Sequence, residues 1–366
     1  MVLYKSQSRV IMRKYKPFQL NDIIKTIFCF FVLLSFSSHA ESLPKIVVLA
    51  TGGTIAGTGT SEMQTTGYKP GVLTADMLLK SVPSLSSVAQ VSAEQISNVG
   101  SDNINNEILL KLAKRVNVLL AQPDINGIVI THGTDTLEET AYFLNLVVKS
   151  KKPVVLTASM RPSTAISADG RGNLLQAVIV AASYEASGRG VMIVMNDRIS
   201  SARYVTKTNA NTLDTFKDYE HGYLGHVVDQ VPHFEMRAGK LNTTDTPFDI
   251  TNLKMLPDVV INYGYQNEVP YMYDAAIEHG VKGIVVAGTG GGSESLAIIP
   301  SLKKAIEKGI VVVRSSRTGS GYVAGDPAYV GLLSNDLNPQ KSRILLMLAL
   351  TVTNDPPQIQ EMFNKY

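Results

Sequence analysis

Lys45-Ile46-Val47-Val48-Leu49-Ala50-Thr51-Gly52-Gly53-Thr54-Ile55-Ala56-Gly57 is the stretch on which the fold turns. Its first half is an apolar run too short for a helix, and it reads as a buried strand over 45–50. Glycines then let the chain turn sharply. In an open parallel sheet, ligands bind outside the carboxyl ends of the strands, so Thr54 stands where a substrate would lie. The alternative at this point is a tight turn in which Thr54 only caps a helix.

Outward from this stretch, Val- and Ile-rich runs at 127–131, 153–158 and 190–195 alternate with helix-period segments at 105–121, 137–149 and 170–182. Such alternation is the mark of a parallel sheet flanked by helices. The pattern pauses after about residue 230, and the polar stretch 237–257 reads as a linker. It then resumes with strands at 259–263, 283–287 and 311–315. A helix opens at Pro339 after Asn338 as cap, and a last short one follows Pro356-Pro357. The expected class is α/β with two domains. A larger N-terminal parallel-sheet domain of Rossmann or flavodoxin type spans 41–236, and a smaller C-terminal α/β domain spans 258–366.

The first 40 residues read as an export leader. Lys5, Arg9, Arg13, Lys14, Lys16 and Lys25 precede an apolar run at 27–36, and Ser38-His39-Ala40 offers small residues for cleavage before Glu41. That run is about half the length of a bilayer-spanning helix, which disfavours a permanent anchor. Translation starting at Met12 instead of Met1 is equally compatible with the leader. The whole chain of 366 residues carries 34 Lys and Arg against 31 Asp and Glu. Six of those basic groups fall in the leader, so the remainder turns slightly acidic. Nothing in that balance suggests nucleic acid or an anionic membrane as partner. The only cysteine, Cys29, also falls in the leader, which excludes thiol catalysis in the processed chain.

A second constellation is Thr131-His132-Gly133-Thr134-Asp135-Thr136-Leu137-Glu138-Glu139-Thr140. Thr136 and Glu139 have capping-box spacing, and Leu137, Ala141, Leu144 and Val148 share one helix face, so a helix starts here. Thr134 and Asp135 thus occupy a second strand-to-helix turn on the same sheet edge as Thr54. A carboxylate there can pair with a substrate ammonium, and amides at the helix start can stabilise an oxyanion. The plainer reading has Asp135 supporting the cap. A third element, Thr206-Lys207-Thr208-Asn209, adds a lysine. Either it is solvated surface, or it is a partly desolvated amine acting as base toward a threonine hydroxyl.

Rival chemistries fail on spacing. A dinucleotide fingerprint needs glycine at position 54, a Walker loop needs Gly-Lys-Ser/Thr, and the Gly288–Ser293 run ends in serine where glycine is required. Ser301-Leu302-Lys303-Lys304, Ser101-Asp102-Asn103 and Lys207-Thr208-Asn209 mimic fragments of penicillin-recognising enzymes, but in the wrong order. The five histidines beyond the leader show no helical ligand pair. A periplasmic amino-acid binding protein shares the two-domain plan and the leader, but has no need of paired threonines with a lysine.

Taken in order, the Thr54 and Thr134-Asp135 segments, Arg161-Pro162-Ser163-Thr164, Thr206-Lys207-Thr208-Asn209, Asp245-Thr246-Pro247-Phe248-Asp249 and Leu337-Asn338-Pro339-Gln340-Lys341 resemble bacterial type II L-asparaginases. The resemblance runs through the chain beyond the leader. It implies hydrolysis of the asparagine side-chain amide, with secondary action on glutamine. It further implies Thr54 as nucleophile assisted by Tyr68 on a flap, and a group formed by Thr134, Lys207 and Asp135. Ser101 and Asp102 match substrate-holding positions, with Asp102 standing where many members have an amide or a glutamate. Family members commonly form homotetramers in which a neighbour's smaller domain completes each site, here through Ser293 and Asp326. Serine replaces a common asparagine at 293, and Asp326 is the only acid between Arg317 and Asn335, where a glutamate is expected. The resemblance implies no metal or organic cofactor, and it implies a periplasmic location.

Overall fold

A computed structural model describes residues 42–366; the expected leader, with Met12 and Cys29, lies outside the described residues. The first ten strands are β1 (Lys45–Gly52), β2 (Gln90–Val99), β3 (Gly127–Thr131), β4 (Val154–Thr157), β5 (Val191–Met195), β6 (Arg198–Ser201), β7 (Thr206–Lys207), β8 (Phe216–Lys217), β9 (Gly225–Val228) and β10 (Val231–Phe234). Eight of them form one sheet in the order β10-β9-β6-β5-β4-β3-β1-β2, and β7 pairs with β8 apart from it. The pairings from β2 through β5 are parallel, while β6, β9 and β10 extend the sheet antiparallel.

Successive side chains of a strand point to opposite faces, and here both faces are dry. Val47, Leu49, Ile128 and Ile130 enter one core with the helices Asn106–Leu120 and Leu137–Val147. Ile46, Val48, Val129 and Val155 enter the other, against the helix Gly170–Ala182. That two-sided burial explains why these strands read as unbroken apolar runs. The parallel order 2-1-3-4-5 reverses direction between β1 and β3, which makes the carboxyl ends of those two strands the switch point where ligands bind. Thr54 and Thr134 follow these two strands.

The smaller C-terminal domain has a parallel sheet of β11 (Val259–Tyr263), β12 (Gly283–Gly288), β13 (Val311–Ser316) and β14 (Leu332–Leu333), in that order. The helix Pro339–Ala349 joins the domains, since Ile344 to Ala349 enter the same core as Leu137 to Val148, Val285 and Val313. Asn338 caps it as the sequence suggests, accepting from Lys341 N at 3.0 Å. No helix among the described residues is long and apolar enough to cross a membrane.

The stretch read as a linker packs against the large domain: Phe248, Ile250 and Leu256 are buried, and Lys149 Nζ donates to Thr246 O at 2.8 Å. One local expectation changes, because the capping box does not form. Thr136 is the N-cap but its hydroxyl donates to Ser101 O at 2.7 Å, and no side-chain cap bond closes that helix.

Candidate active site

Three turns interlock at the carboxyl edge of the large sheet. Gly53 has φ +75°, and a Cβ there would sit 2.3 Å from Gly133 N. A Cβ on Gly133 would sit 2.6 Å from Ser101 Oγ. Only glycine lets these backbones approach so closely, and the approach brings the turns after β1, β2 and β3 into one cluster.

Thr54 opens a short 3-10 turn and is nearly buried, at 8% exposure. Its hydroxyl does not cap; it shares a 2.6 Å hydrogen bond with Tyr68 OH. Tyr68 ends a hairpin-like flap closed by paired backbone bonds between Thr58 and Lys69, at 3.1 and 3.2 Å. Thr134 is as enclosed, at 6% exposure, and its hydroxyl accepts from Lys207 Nζ at 2.9 Å. The same ammonium pairs with Asp135 Oδ1 at 2.6 Å. Lys207 is therefore not a solvated loop residue but sits on β7 with its amine turned inward. Thr54, Tyr68, Thr134, Asp135, Lys207 and Arg161 all line one cavity of about 560 Å³.

The remaining candidates fall outside that lining. Ser101 is buried beneath the Asp135 turn, and its Oγ accepts from Asp135 N at 3.1 Å. That amide is thereby committed and cannot serve an oxyanion. Asp102 is exposed and accepts from Asn103 Nδ2 at 2.8 Å. Ser293 bridges to Thr289 in the small domain, and Asp326 is exposed there, accepting from Ala328 N at 2.9 Å. A single chain does not bring Ser293 or Asp326 to the lining of this cavity.

Electrostatics around the cavity follow from burial. His132, next to the Thr134 turn, is fully buried and its imidazole is pushed down to about 4, chiefly by desolvation. It is neutral at pH 7, and because a carbonyl only accepts, Nδ1 donates to Gly133 O at 2.8 Å and Nε2 accepts from Thr140 Oγ1 at 3.0 Å. Glu139, expected in the cap, is instead pushed up to about 7 by burial, with Arg343 opposing the shift.

Two supporting carboxylates escape sequence reasoning. Asp169 accepts from Met160 N at 3.0 Å and Arg161 N at 3.1 Å, holding the wall of the cavity, and burial raises its carboxyl despite those bonds. Glu138 reads as a first-turn helix acid, yet it is buried and accepts from Thr206 Oγ1 at 2.8 Å and Lys207 N at 3.3 Å. The one available signal was its position beside Leu137 on the apolar side of the helix.

Family models match most of the chain: "Asparaginase, N-terminal" over residues 45–239 and "Glutaminase/Asparaginase C-terminal domain" over residues 258–363. L-asparaginase 2 of Bacillus subtilis (strain 168) is 57% identical over 333 residues, covering 90% of this chain and 88% of that protein. A glutaminase-asparaginase of Pseudomonas fluorescens biotype A is 46% identical over 330 residues, covering 88% and 91%. Among solved structures, a probable cytoplasmic L-asparaginase from Campylobacter jejuni aligns with a TM-score of 0.86 at 49% identity, covering 88% of this chain and 100% of that one.

Proposed function

The chain belongs to the asparaginase family and is an asparagine amidohydrolase, and from that premise we propose that it works through a threonine nucleophile and an acyl-enzyme. In this reading Thr54 Oγ attacks the side-chain amide carbon while the Tyr68 hydroxyl takes its proton and passes its own on towards the amide nitrogen. The tetrahedral adduct collapses, the C–N bond breaks, and ammonia leaves carrying that one proton, relayed through Thr134 and Lys207, each of which gives up a proton as it gains one. Water then hydrolyses the ester to aspartate and restores the Thr54 hydroxyl. Asp135 holds Lys207 in place and offers its free oxygen to the substrate ammonium, and Ser101 and Asp102 complete the substrate's polar contacts. The observation that carries the reading is the pair of enclosed hydroxyls in one cavity, Thr54 on Tyr68 at 2.6 Å and Thr134 on Lys207 at 2.9 Å.

Glutamine is the secondary substrate in this proposal, since serine at 293 leaves more room than asparagine. One methylene changes discrimination by only about 1–3 kcal/mol, so both amides turn over. Each site is completed by Ser293 and Asp326 of a neighbour in a homotetramer, with the domains divided at 237–257 and the leader directing export to the periplasm. The deciding experiment is ammonia release from saturating asparagine and glutamine by the parent and by Thr54→Ala. Thr54→Ala should lose at least about 10³-fold in kcat on both substrates. Parental rates in the purified variant would remove Thr54 from its role.

A further inference from the structure

The segment Leu337-Asn338-Pro339-Gln340-Lys341 has so far only a local explanation, as the opening of a helix. Its polar side chains do more than cap. Asn338 Nδ2 donates to Glu138 Oε2 at 3.0 Å, Gln340 Nε2 donates to Glu138 Oε1 at 3.3 Å, and Lys341 Nζ lies 3.8 Å from Glu138 Oε2. Glu138 and Lys341 are both nearly buried, with side chains 5% and 2% exposed. A buried ion pair is tolerated only when its remaining donors and acceptors are satisfied. Here they are satisfied by one stretch of backbone and its side chain. Lys341 Nζ donates to Arg203 O at 3.2 Å and to Val205 O, while Glu138 accepts from Thr206 Oγ1 and Lys207 N.

All of these bonds fall on residues 203 to 207, the chain that carries Lys207. Arg203 and Val205 have further anchors, with Arg203 donating to Tyr366 O at 2.7 Å and Asp336 Oδ1 at 2.6 Å and Val205 N donating to Ser201 O at 3.0 Å, whereas Thr206 and Lys207 rest on a short ladder and on Glu138 and Asn338. Strand β7 has two residues and pairs only with β8, itself of two residues, and a ladder this short is not stable alone. A lysine amine on a flexible four-carbon stem keeps distances of 2.9 and 2.6 Å to Thr134 and Asp135 only if its Cα is fixed.

We propose that the buried Glu138–Lys341 pair, with Asn338 and Gln340, is the positioning apparatus of Lys207, so that residues 337–341 govern the chemical step from outside the cavity. This rests on the reading of Lys207 as a participant in catalysis. The test compares kcat and KM for asparagine, and the melting temperature, in the full chain and in Lys207→Ala, Glu138→Gln, Thr206→Val and the double variant Thr206→Val/Lys207→Ala. Glutamine at 138 keeps one acceptor but presents a donor to Asn338, Gln340 or Lys341; valine at 206 removes a single bond to Glu138. Both should lower kcat about 10- to 100-fold, as a misplacement of around an ångström does, with KM within about threefold. Adding Thr206→Val to Lys207→Ala should cost nothing further, because the effect acts through the missing amine. Parental kcat in Glu138→Gln and Thr206→Val, alongside a crippled Lys207→Ala, overturns the positioning role alone. Parental kcat in Lys207→Ala overturns the catalytic reading beneath it. If Glu138→Gln does not fold, Thr206→Val decides. A loss in kcat that persists undiminished in the Lys207→Ala background marks a general structural role and overturns the proposal.

Discussion

Carboxyl groups buried away from water hold their protons to higher pH, and Glu294 is the clearest case here. Its side chain is nearly enclosed, Oε2 accepts from Val330 N at 2.9 Å, and Oε1 has no partner among the described residues. Burial pushes the group up to about 7, against the Val330 bond and Arg314, which pull it back, and with a further push from Glu268. A carboxyl raised in the folded state keeps its proton in the window where the unfolded chain has released it. Its contribution to stability therefore falls as pH rises from about 4.5 through about 7. Glu294→Gln copies the neutral form and retains an acceptor for Val330 N. It should raise the melting temperature at pH 8 and change it little at pH 5. Equal shifts at both pH values in calorimetry would show that the folded-state proton has no part in it. His132 works in the opposite sense: its depressed imidazole contributes stability that is lost as pH falls from 6.5 towards about 4, because the unfolded chain then takes up the proton first.

At the scale of elements, the turn after β1 leaves no room for a side chain at Gly53. Gly53 adopts a left-handed φ and faces Gly133 backbone, which has no side chain that could move aside. Gly53→Ala should therefore cost at least about 1–3 kcal/mol in stability and displace Thr54 enough to remove most activity. Gly172 is the internal control. It lies in the helix Gly170–Ala182 with nothing within 4 Å of an added Cβ, so Gly172→Ala should gain up to about 1 kcal/mol from helix propensity. Chemical denaturation of both variants with activity at each step checks the pair. A Gly53→Ala protein as stable and active as the parent would mean that the turns after β1 and β3 do not need their close approach.

At the scale of the whole molecule, the groups that face the cavity from outside decide whether the site is complete. Tyr263, Tyr271 and Met272 of the small domain are 62%, 73% and 67% exposed. Ser293 and Asp326 stand in the same domain, away from the lining around Thr54. If a neighbour supplies them, Thr54→Ala and Asp326→Ala proteins should each be poorly active alone yet regain part of the activity when unfolded and refolded together, since some sites then receive an intact half from each chain. Demonstrably mixed oligomers without regain would place the whole site within one chain. Full activity of Asp326→Ala alone would show that another group fills the acid's place.

Periodicity and turn chemistry were enough to read β3, β11 and the helix Gly170–Ala182 to the residue, and the Asn338 cap as well, because each depends on neighbours within a few positions. The strands β2, β6, β9 and β10, of which β2 and β10 form the edges of the sheet, were not legible. They are polar or short, and only pairing with a strand already in place makes them strands. The candidate site divides along the same line. Thr54 and Thr134 stand out as threonines in glycine turns after buried strands, whereas the sequence leaves Lys207 open to a surface reading that its amine on Thr134 and Asp135 rules out. Glu138 was invisible as anything but a helix acid, and Thr136 and Glu139 carried a capping signal that the fold does not use. Asn338 meets Glu138 across 200 positions of chain, and Lys207 meets Thr134 across 73. Local patterns encode where backbone turns and which face is apolar; which polar groups meet in the interior depends on how the layers pack, and so only the tertiary structure decides it.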